Sequence, residues 1–489
     1  MAINDTPNTN KIMQVVFGLA FFGLGLFAVH GMMSHGTQQI KMIAAMIVAI
    51  GLVLALDTNY WLLCPASMMF GVRIPGLPFN STEIGCLAVV CVHLVRHGLQ
   101  RERRFQWDRR VVVGIPLLVW ICLVWILNPT GLAIFGSRSI GVRFYIQILI
   151  GYATLFALST LQIDEQKSKL LFKTMAAMII ARVAFAMLRS DMSQVDALEA
   201  TTHYRFLVFY PLFVLLFSRY SLKEVLTCWW RFAVAGICGL AILYSGKRRT
   251  LGMAVMIPVI RMLLTGRERM LTVAIGICSV FMLFFAVPFD GLLFEMPNSA
   301  KRVLSMVVPK YRTANFTGLR DQFREGMRRE AMRTIRADPM FGRKGFAQDI
   351  AETRWQFMGG VHSDTFEGHA MSGNWHSAFY AYPADFGIPA FLFFWLFFGT
   401  VIWTTVRAAR SAPVGTFSSF CILYYTYEIM EIAIFAYTTG HSAVTTVDIC
   451  VNYGMLVALA NGRSVARGLR DADGVPLFSG PTDEVPLAV

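Results

Sequence analysis

The strongest constraint in this sequence is the recurrence of apolar runs about twenty residues long, the length a helix needs to cross the hydrocarbon core of a bilayer. Runs bounded by charges and turn residues place spans near 13–32, 39–56, 60–78, 82–98, 110–128, 142–161, 168–187, 203–219, 227–244, 249–264, 270–289, 376–405, 416–436 and 442–461. That makes about fourteen helices, with both termini on one side. Composition agrees: 56% of the 489 residues are hydrophobic and only 15% charged, with a mean hydropathy of +0.54, too apolar for an ordinary soluble protein. The expected fold class is all-α, a polytopic membrane protein. The first run, Ile12 to Val29, follows a weakly charged N-terminus and lacks a small-residue cleavage site, which predicts a retained span. Pro65, Arg73, Pro75, Gly76 and Pro78 interrupt 60–78, so that segment fits a half-helix or re-entrant element.

Four regions follow: a transmembrane bundle of about eleven helices over 1–289, a large polar loop over 290–375, C-terminal transmembrane helices over 376–461, and a tail over 462–489. This tail is expected in the cytoplasm, and its part after Arg470, with Gly474, Pro476, Gly480, Pro481 and Pro486, reads as a short disordered end. The nine cysteines fall in or beside apolar runs, as buried free thiols do, and form neither a disulfide framework nor a metal set. Fixed-period repeats and inverted pairs of broken helices are not evident, which disfavours a secondary transporter.

The formal net charge of +14 is not read as a nucleic-acid footprint; in a membrane protein the sidedness of the charge is what matters. Arg96, Arg101, Arg103, Arg104, Arg109 and Arg110 make the strongest topogenic signal. Placing them in the cytoplasm also puts Arg267, Arg269, Arg407, Arg410, Arg463 and Arg467 inside, and the loop 290–375 outside. Several basic residues then sit on the outer face, where short loops normally avoid them: Arg138 and Arg143, Arg205, and the turn with Lys247, Arg248 and Arg249. Guanidinium groups grip phosphate oxygens in a bidentate way, so an anion is expected there; ion pairs with loop acids or lipid headgroups are the structural alternative.

Within the loop, Leu319, Phe323, Met327, Ala331 and Ile335 recur every fourth residue beside a stripe of Arg320, Arg324 and Arg328. That periodicity predicts an amphipathic helix over 318–337, stopped by Asp338-Pro339. The following Gly342-Arg343-Lys344-Gly345 suits a tight turn that projects two basic side chains. His376 then stands where the polar loop re-enters the membrane, with Asn374 before it and an apolar run from Phe391 to Thr404 after it. A histidine at such a boundary suits general-base chemistry, against the plainer role of an interfacial helix cap. Glu428 and Glu431 lie one helical turn apart inside a span, and Asp448 inside the last one. Intramembrane carboxylates are costly, and a structural or orienting part is preferred for these acids, paired with a neighbouring helix's arginine or bonded to Tyr424, Tyr427 or Tyr453, and for Asp385, which near Pro383 and Pro389 suits the end of a kinked helix.

These motifs resemble the O-antigen ligase and O-antigen polymerase family. The resemblance rests on Thr317-Gly318-Leu319-Arg320, on the stretch Ala337 to Phe346, on His376-Ser377, and on Phe386-Gly387-Ile388-Pro389-Ala390. The Ser245 to Thr250 turn looks like the family's Ser-Arg motif, and Arg205 stands where another arginine is expected. It departs from the family in having Ser377 where an Asn usually follows the His, and Ala390 in place of a Gly. The resemblance implies a GT-C-like, metal-independent, inverting glycosyltransferase of the bacterial inner membrane, needing no cofactor and active on the periplasmic face. The donor would be an undecaprenyl-diphosphate-linked glycan. The acceptor would be a second glycan in a polymerase of O-antigen or exopolysaccharide, or lipid A-core in a ligase of lipopolysaccharide biosynthesis. The polymerase is preferred, a non-enzymatic polysaccharide flippase being the remaining alternative, and chain-length regulators or export proteins are the protein partners such a role allows.

On this reading His376 is the base, with His369 as the second candidate, and Arg205, Arg248, Arg249 and Arg320 hold the diphosphate. Lys247, Arg138, Arg143, Arg343 and Asn374 support them.

Overall fold

The computed structural model describes residues 56–70, 81–99, 108–128, 142–188, 206–245, 248–265, 314–345, 375, 377–412, 415–436 and 442–472, with isolated positions at 273, 276 and 301. The side chains of 314–324 and 464–472 are outside the description, as are a few at helix ends. The expected spans 13–32, 39–56 and 270–289 lie outside the described residues.

Among the described residues the chain is helical, without strands. A 3-10 turn, Asp57–Leu62, leads into α1 (Leu63–Phe70), followed by α2 (Ser81–Leu99). After a single turn at Arg109–Val112 come α3 (Ile115–Leu127), α4 (Val142–Ser159), α5 (Glu165–Leu188), α6 (Phe209–Arg219), the short α7 (Leu222–Thr227), α8 (Trp229–Tyr244) and α9 (Arg248–Thr265). The loop contributes α10 (Ala314–Ala337), and the C-terminal part α11 (Ala378–Phe386), α12 (Ile388–Arg410), α13 (Phe417–Ile434) and α14 (Ser442–Ala472). Helices therefore stand where the periodic runs predicted them. One difference is informative: the span expected over 376–405 is two helices broken at Gly387. Of the expected span 60–78, residues 71–78 lie outside the described residues.

Among the described residues, three segments are long and apolar enough to cross a membrane: Arg109–Leu127, Ile388–Arg410 and Ser442–Arg463. Shorter apolar helices accompany them. Their surroundings differ. The most apolar window of Ser442–Arg463 is 78% buried within the protein, whereas that of Arg109–Leu127 is only 28% buried. So α14 is a central helix and α3 a peripheral one. On α12, Ile388, Leu392 and Leu396 form an exposed stripe at helical spacing, and Val119, Leu123 and Ile126 do the same on α3. An outward apolar stripe of this kind is stable against lipid and not against water.

The core closes around α4 and α14. A Cβ at Gly151 would sit 3.1 Å from the Cα of Val447, and one at Gly454 3.0 Å from the Cβ of Leu158. These glycines let the two helices approach closely, as small residues do between membrane helices. Tyr152, Tyr382, Tyr424, Tyr425, Tyr427 and Tyr453 are fully buried beside Phe386, Phe394, Phe397 and Phe398.

Polar contacts sort the helix ends into two sets. At one end, Arg110 bonds to Asp108 and Asn461, and Asn461 donates to the carbonyl of Ser159 at 3.0 Å. Arg463 reaches the carbonyls of Ala408 and Ser411, and Glu165 accepts the Phe417 amide at 2.6 Å. Arg109, Arg110, Arg407, Arg410 and Arg463, which the charge pattern assigned to one side, are thus grouped at one end of the bundle. At the other end the amide of Ala378 donates to Ala436 at 2.7 Å, and Ser442 meets Asp385. The described cysteines are free.

Candidate functional site

The loop helix α10 runs to Ala337, where the sequence predicted its end, because a proline at 339 disfavours helical backbone in the residue before it. Met327, Ala331 and Ile335 pack against Trp375, Tyr380, Ala381 and Ala384, so the expected apolar face has found α11 as its partner. The adjoining face carries Glu325, Arg328, Arg329, Met332, Arg333 and Arg336, a three-and-four spacing that aligns them on one side. Together with Tyr380 of α11 they line an open cavity of about 510 Å³. Four arginines stand there against one glutamate, so the cavity suits a polyanion. Glu325 lies 3.6 Å from Arg328, and Glu330 3.7 Å from Arg333; these partly solvated pairs at helical spacing hold the side chains weakly. Of this face only Arg328 belongs to the stripe read from the sequence. Continued at the same four-residue period that stripe reaches Arg336, while Arg329 and Arg333 form a neighbouring row one residue on.

Beyond α10 the chain makes a compact turn. Asp338 accepts the amides of Met340 at 3.2 Å and Phe341 at 3.0 Å, and the backbone then passes through positive φ at Gly342 (62°), Lys344 (64°) and Gly345 (79°). The turn presses into the break between α11 and α12. The amide of Arg343 donates to Ala384 at 2.8 Å, that of Gly345 to Asp385 at 2.6 Å, and that of Ile388 to Pro339 at 2.8 Å. Phe341 stacks on Trp120 with ring centres 5.7 Å apart, and the Trp120 indole donates to the Phe386 carbonyl at 2.8 Å. Glycine is required at this seam: a Cβ on Gly387 would lie 1.9 Å from the Met340 carbonyl oxygen. Pro389 then starts α12 without loss, since amides in a first turn have no intrahelical acceptor.

Arg343 does not project from this turn as expected. Its Nε lies 2.8 Å from Asp385 Oδ1, with the arginine side chain 8% exposed and the aspartate fully buried. Asp385 also accepts from the Trp375 indole at 2.8 Å and the Ser442 hydroxyl at 2.7 Å. The reason is electrostatic: a carboxylate in the packed interior is tolerated only with a cation and hydrogen bonds around it. Asp385 therefore holds the end of a broken helix, the structural part foreseen for it.

Arg249 obeys the same rule, its Nε lying 2.6 Å from Glu431 Oε1. Gly252, one turn along α9, faces Phe435, where a Cβ would come within 2.9 Å of the ring. The adjoining Ala436 carbonyl accepts the Ala378 amide. The start of α9 and the head of α11, far apart in sequence, thus meet at the end of α13. Around position 376 the flanks are fixed: Trp375 is buried against Asp385, and Ser377 is buried as the residue preceding α11.

His376, Arg205, Lys247, Arg138, His369 and Asn374 lie outside the described residues, and Arg143, Arg248 and Arg320 lie on α4, α9 and α10 without described side chains. Among the described residues, no group of three or more His, Cys, Asp or Glu side chains is arranged to hold a metal. No protein-family model matches the chain, and no curated protein matches it.

Proposed function

We propose that this chain is a bacterial inner-membrane glycosyltransferase that polymerises undecaprenyl-diphosphate-linked oligosaccharide at the periplasmic face. The observation that carries the reading is the open basic cavity of α10, lined on one side by Tyr380 of α11, the helix that begins two residues after position 376. A transfer from a lipid diphosphate needs those two parts side by side, a cationic seat for the leaving group and a base for the attacking hydroxyl.

In this mechanism the donor enters from the bilayer with its diphosphate among Arg328, Arg329, Arg333 and Arg336, and Arg205, Arg248, Arg249 and Arg320, the arginines expected from the sequence to hold it, would add further positive charge. His376 takes the proton of the acceptor hydroxyl as its oxygen attacks the anomeric carbon from the side opposite the diphosphate. The new glycosidic C–O bond forms as the bond to the diphosphate breaks. The lipid diphosphate leaves with the electron pair, and the configuration inverts. The arginines act on charge that grows as the bond breaks, which is where electrostatic stabilisation is most effective.

Purified protein supplied with an undecaprenyl-diphosphate oligosaccharide tests the reading. His376→Ala should lower turnover by about a hundredfold to ten-thousandfold, the usual contribution of a general base. Arg329→Gln with Arg333→Gln should instead weaken donor binding, most visibly at low salt. His369→Ala should change turnover little. Wild-type protein that carries the lipid-linked glycan across a liposome membrane without ever lengthening it would overturn the enzyme reading. Transfer to lipid A-core in place of a second glycan would make the chain a ligase.

A further inference from the structure

The cluster centred on Asp385 holds more of the chain in register than any one helix end requires. Its carboxylate receives an arginine from the loop turn, an indole from the residue before position 376, and a hydroxyl from the first residue of α14. The Arg343 guanidinium also lies over the Trp375 ring, 5.7 Å from its centre. Two backbone hydrogen bonds tie the turn to the carbonyls of Ala384 and Asp385, and a third ties Ile388 to Pro339. Four segments therefore meet at one buried carboxylate: the turn after α10, the tryptophan at 375, the end of α11 and the start of α14; the start of α12 is tied to the same turn through Pro339.

A helix cap alone would not need this. Asp385 lies at the C-terminal end of α11, where the helix dipole disfavours a negative charge. The carboxylate is kept there fully buried and matched to a cation brought in from the loop. Removing one member of such a pair leaves the other buried and uncompensated, so the two must stay together. The consequence is geometric. The cavity arginines are on α10, whose C-terminus runs straight into the Arg343 turn, while Trp375 leads directly into His376. One buried carboxylate thus joins the turn that ends the arginine-bearing helix to Trp375, the residue before position 376.

We propose that Asp385, through Arg343 and Trp375, is a positioning residue for glycan transfer: it fixes the basic face of α10 relative to the segment that carries His376. This rests on the transferase reading above. Asp385 does not touch substrate in this scheme and neither gives nor takes a proton. Effective catalysis depends on reacting groups held within a fraction of an ångström, so loosening the pair should lower the rate of transfer while leaving the individual binding groups in place.

The test uses the full-length protein in nanodiscs, with an undecaprenyl-diphosphate oligosaccharide as substrate. Asp385→Asn keeps the shape and one oxygen acceptor but removes the charge that Arg343 needs. It should lower kcat at least tenfold, with KM within about twofold of wild type. Arg343→Gln should behave alike, and Arg343→Lys, which restores the charge, should recover most of the loss. A readout independent of activity is tryptic cleavage at Arg343 and Lys344, which should be slow in the wild type and fast in Asp385→Asn.

Unchanged kcat in Asp385→Asn, or Arg343→Lys no better than Arg343→Gln, would overturn the positioning role even with an active wild type. A kcat and KM that worsen together, with loss of monodisperse protein, would make the cluster merely structural. If the wild type transfers no glycan, the transferase reading fails first, and the positioning role falls with it.

Discussion

Arg249 of α9 and Glu431 of α13 form an ion pair across two helices, Nε to Oε1 at 2.6 Å, in a part of the bundle where the glutamate side chain is only 10% exposed. The sequence offered two destinies for Arg249, an anion on the outer face or an acid of the protein, and the fold supplies the acid. The arginine side chain remains 37% exposed, so its Nε neutralises Glu431 while the rest of the group stays partly open.

The pair makes the two roles separable. Arg249→Ala leaves a buried carboxylate without its cation and should cost about 3 kcal/mol of stability, read as a fall in thermal midpoint and accumulation. Adding Glu431→Gln removes the stranded charge and should restore most of the accumulation. If Arg249 also helps to hold the donor, transfer by the double variant should remain impaired; full recovery of both would confine Arg249 to a structural part.

Gly387 and Gly415 offer a contrast at nearly equal φ, 86° and 87°. A Cβ at Gly415 meets nothing within 4 Å, whereas at Gly387 it would strike the Met340 carbonyl oxygen. Gly415→Ala should therefore cost only the strain of an unusual backbone, about 1–3 kcal/mol. Gly387→Ala should cost clearly more, because the Asp338–Gly345 turn must also move away, and it should expose that turn to trypsin. Equal thermal midpoints for the two variants would show that the turn is not seated against the break.

Asp108 predicts a pH dependence at the opposite end of the bundle, just before the apolar span. Partial burial works to raise its pKa, but hydrogen bonds from the Arg110 side chain and backbone, the Arg110 charge and Asn461 outweigh it and hold the carboxyl below its ordinary value of 3.8. With the folded value below the unfolded one, the stabilisation is present above pH 3.8 and is lost as pH falls through the folded value. Thermal midpoints of wild type and Asp108→Asn should thus differ at pH 6 and converge in strong acid. A gap that stays constant down to pH 2 would show that the charge of Asp108 contributes nothing.

By itself the sequence determined the helices, because apolar length and periodicity are local properties: the runs near 110–128, 416–436 and 442–461 and the amphipathic loop helix were all legible, as was the grouping of Arg109, Arg407, Arg410 and Arg463 at one end. Tertiary structure decided which charges meet. Arg343 reads as a projecting basic residue until Asp385, 42 positions on, is folded against it, and Arg249 reads as an anion ligand until α13 brings Glu431 alongside. The break at Gly387 was legible only in part: Pro383 and Pro389 mark a kinked helix end in the sequence, but the close approach of Met340 that demands glycine there comes from the fold. Ion pairs and backbone seams between distant segments depend on which helix faces are adjacent, and desolvation then makes those pairings obligatory. A single sequence specifies the faces but does not name the neighbours.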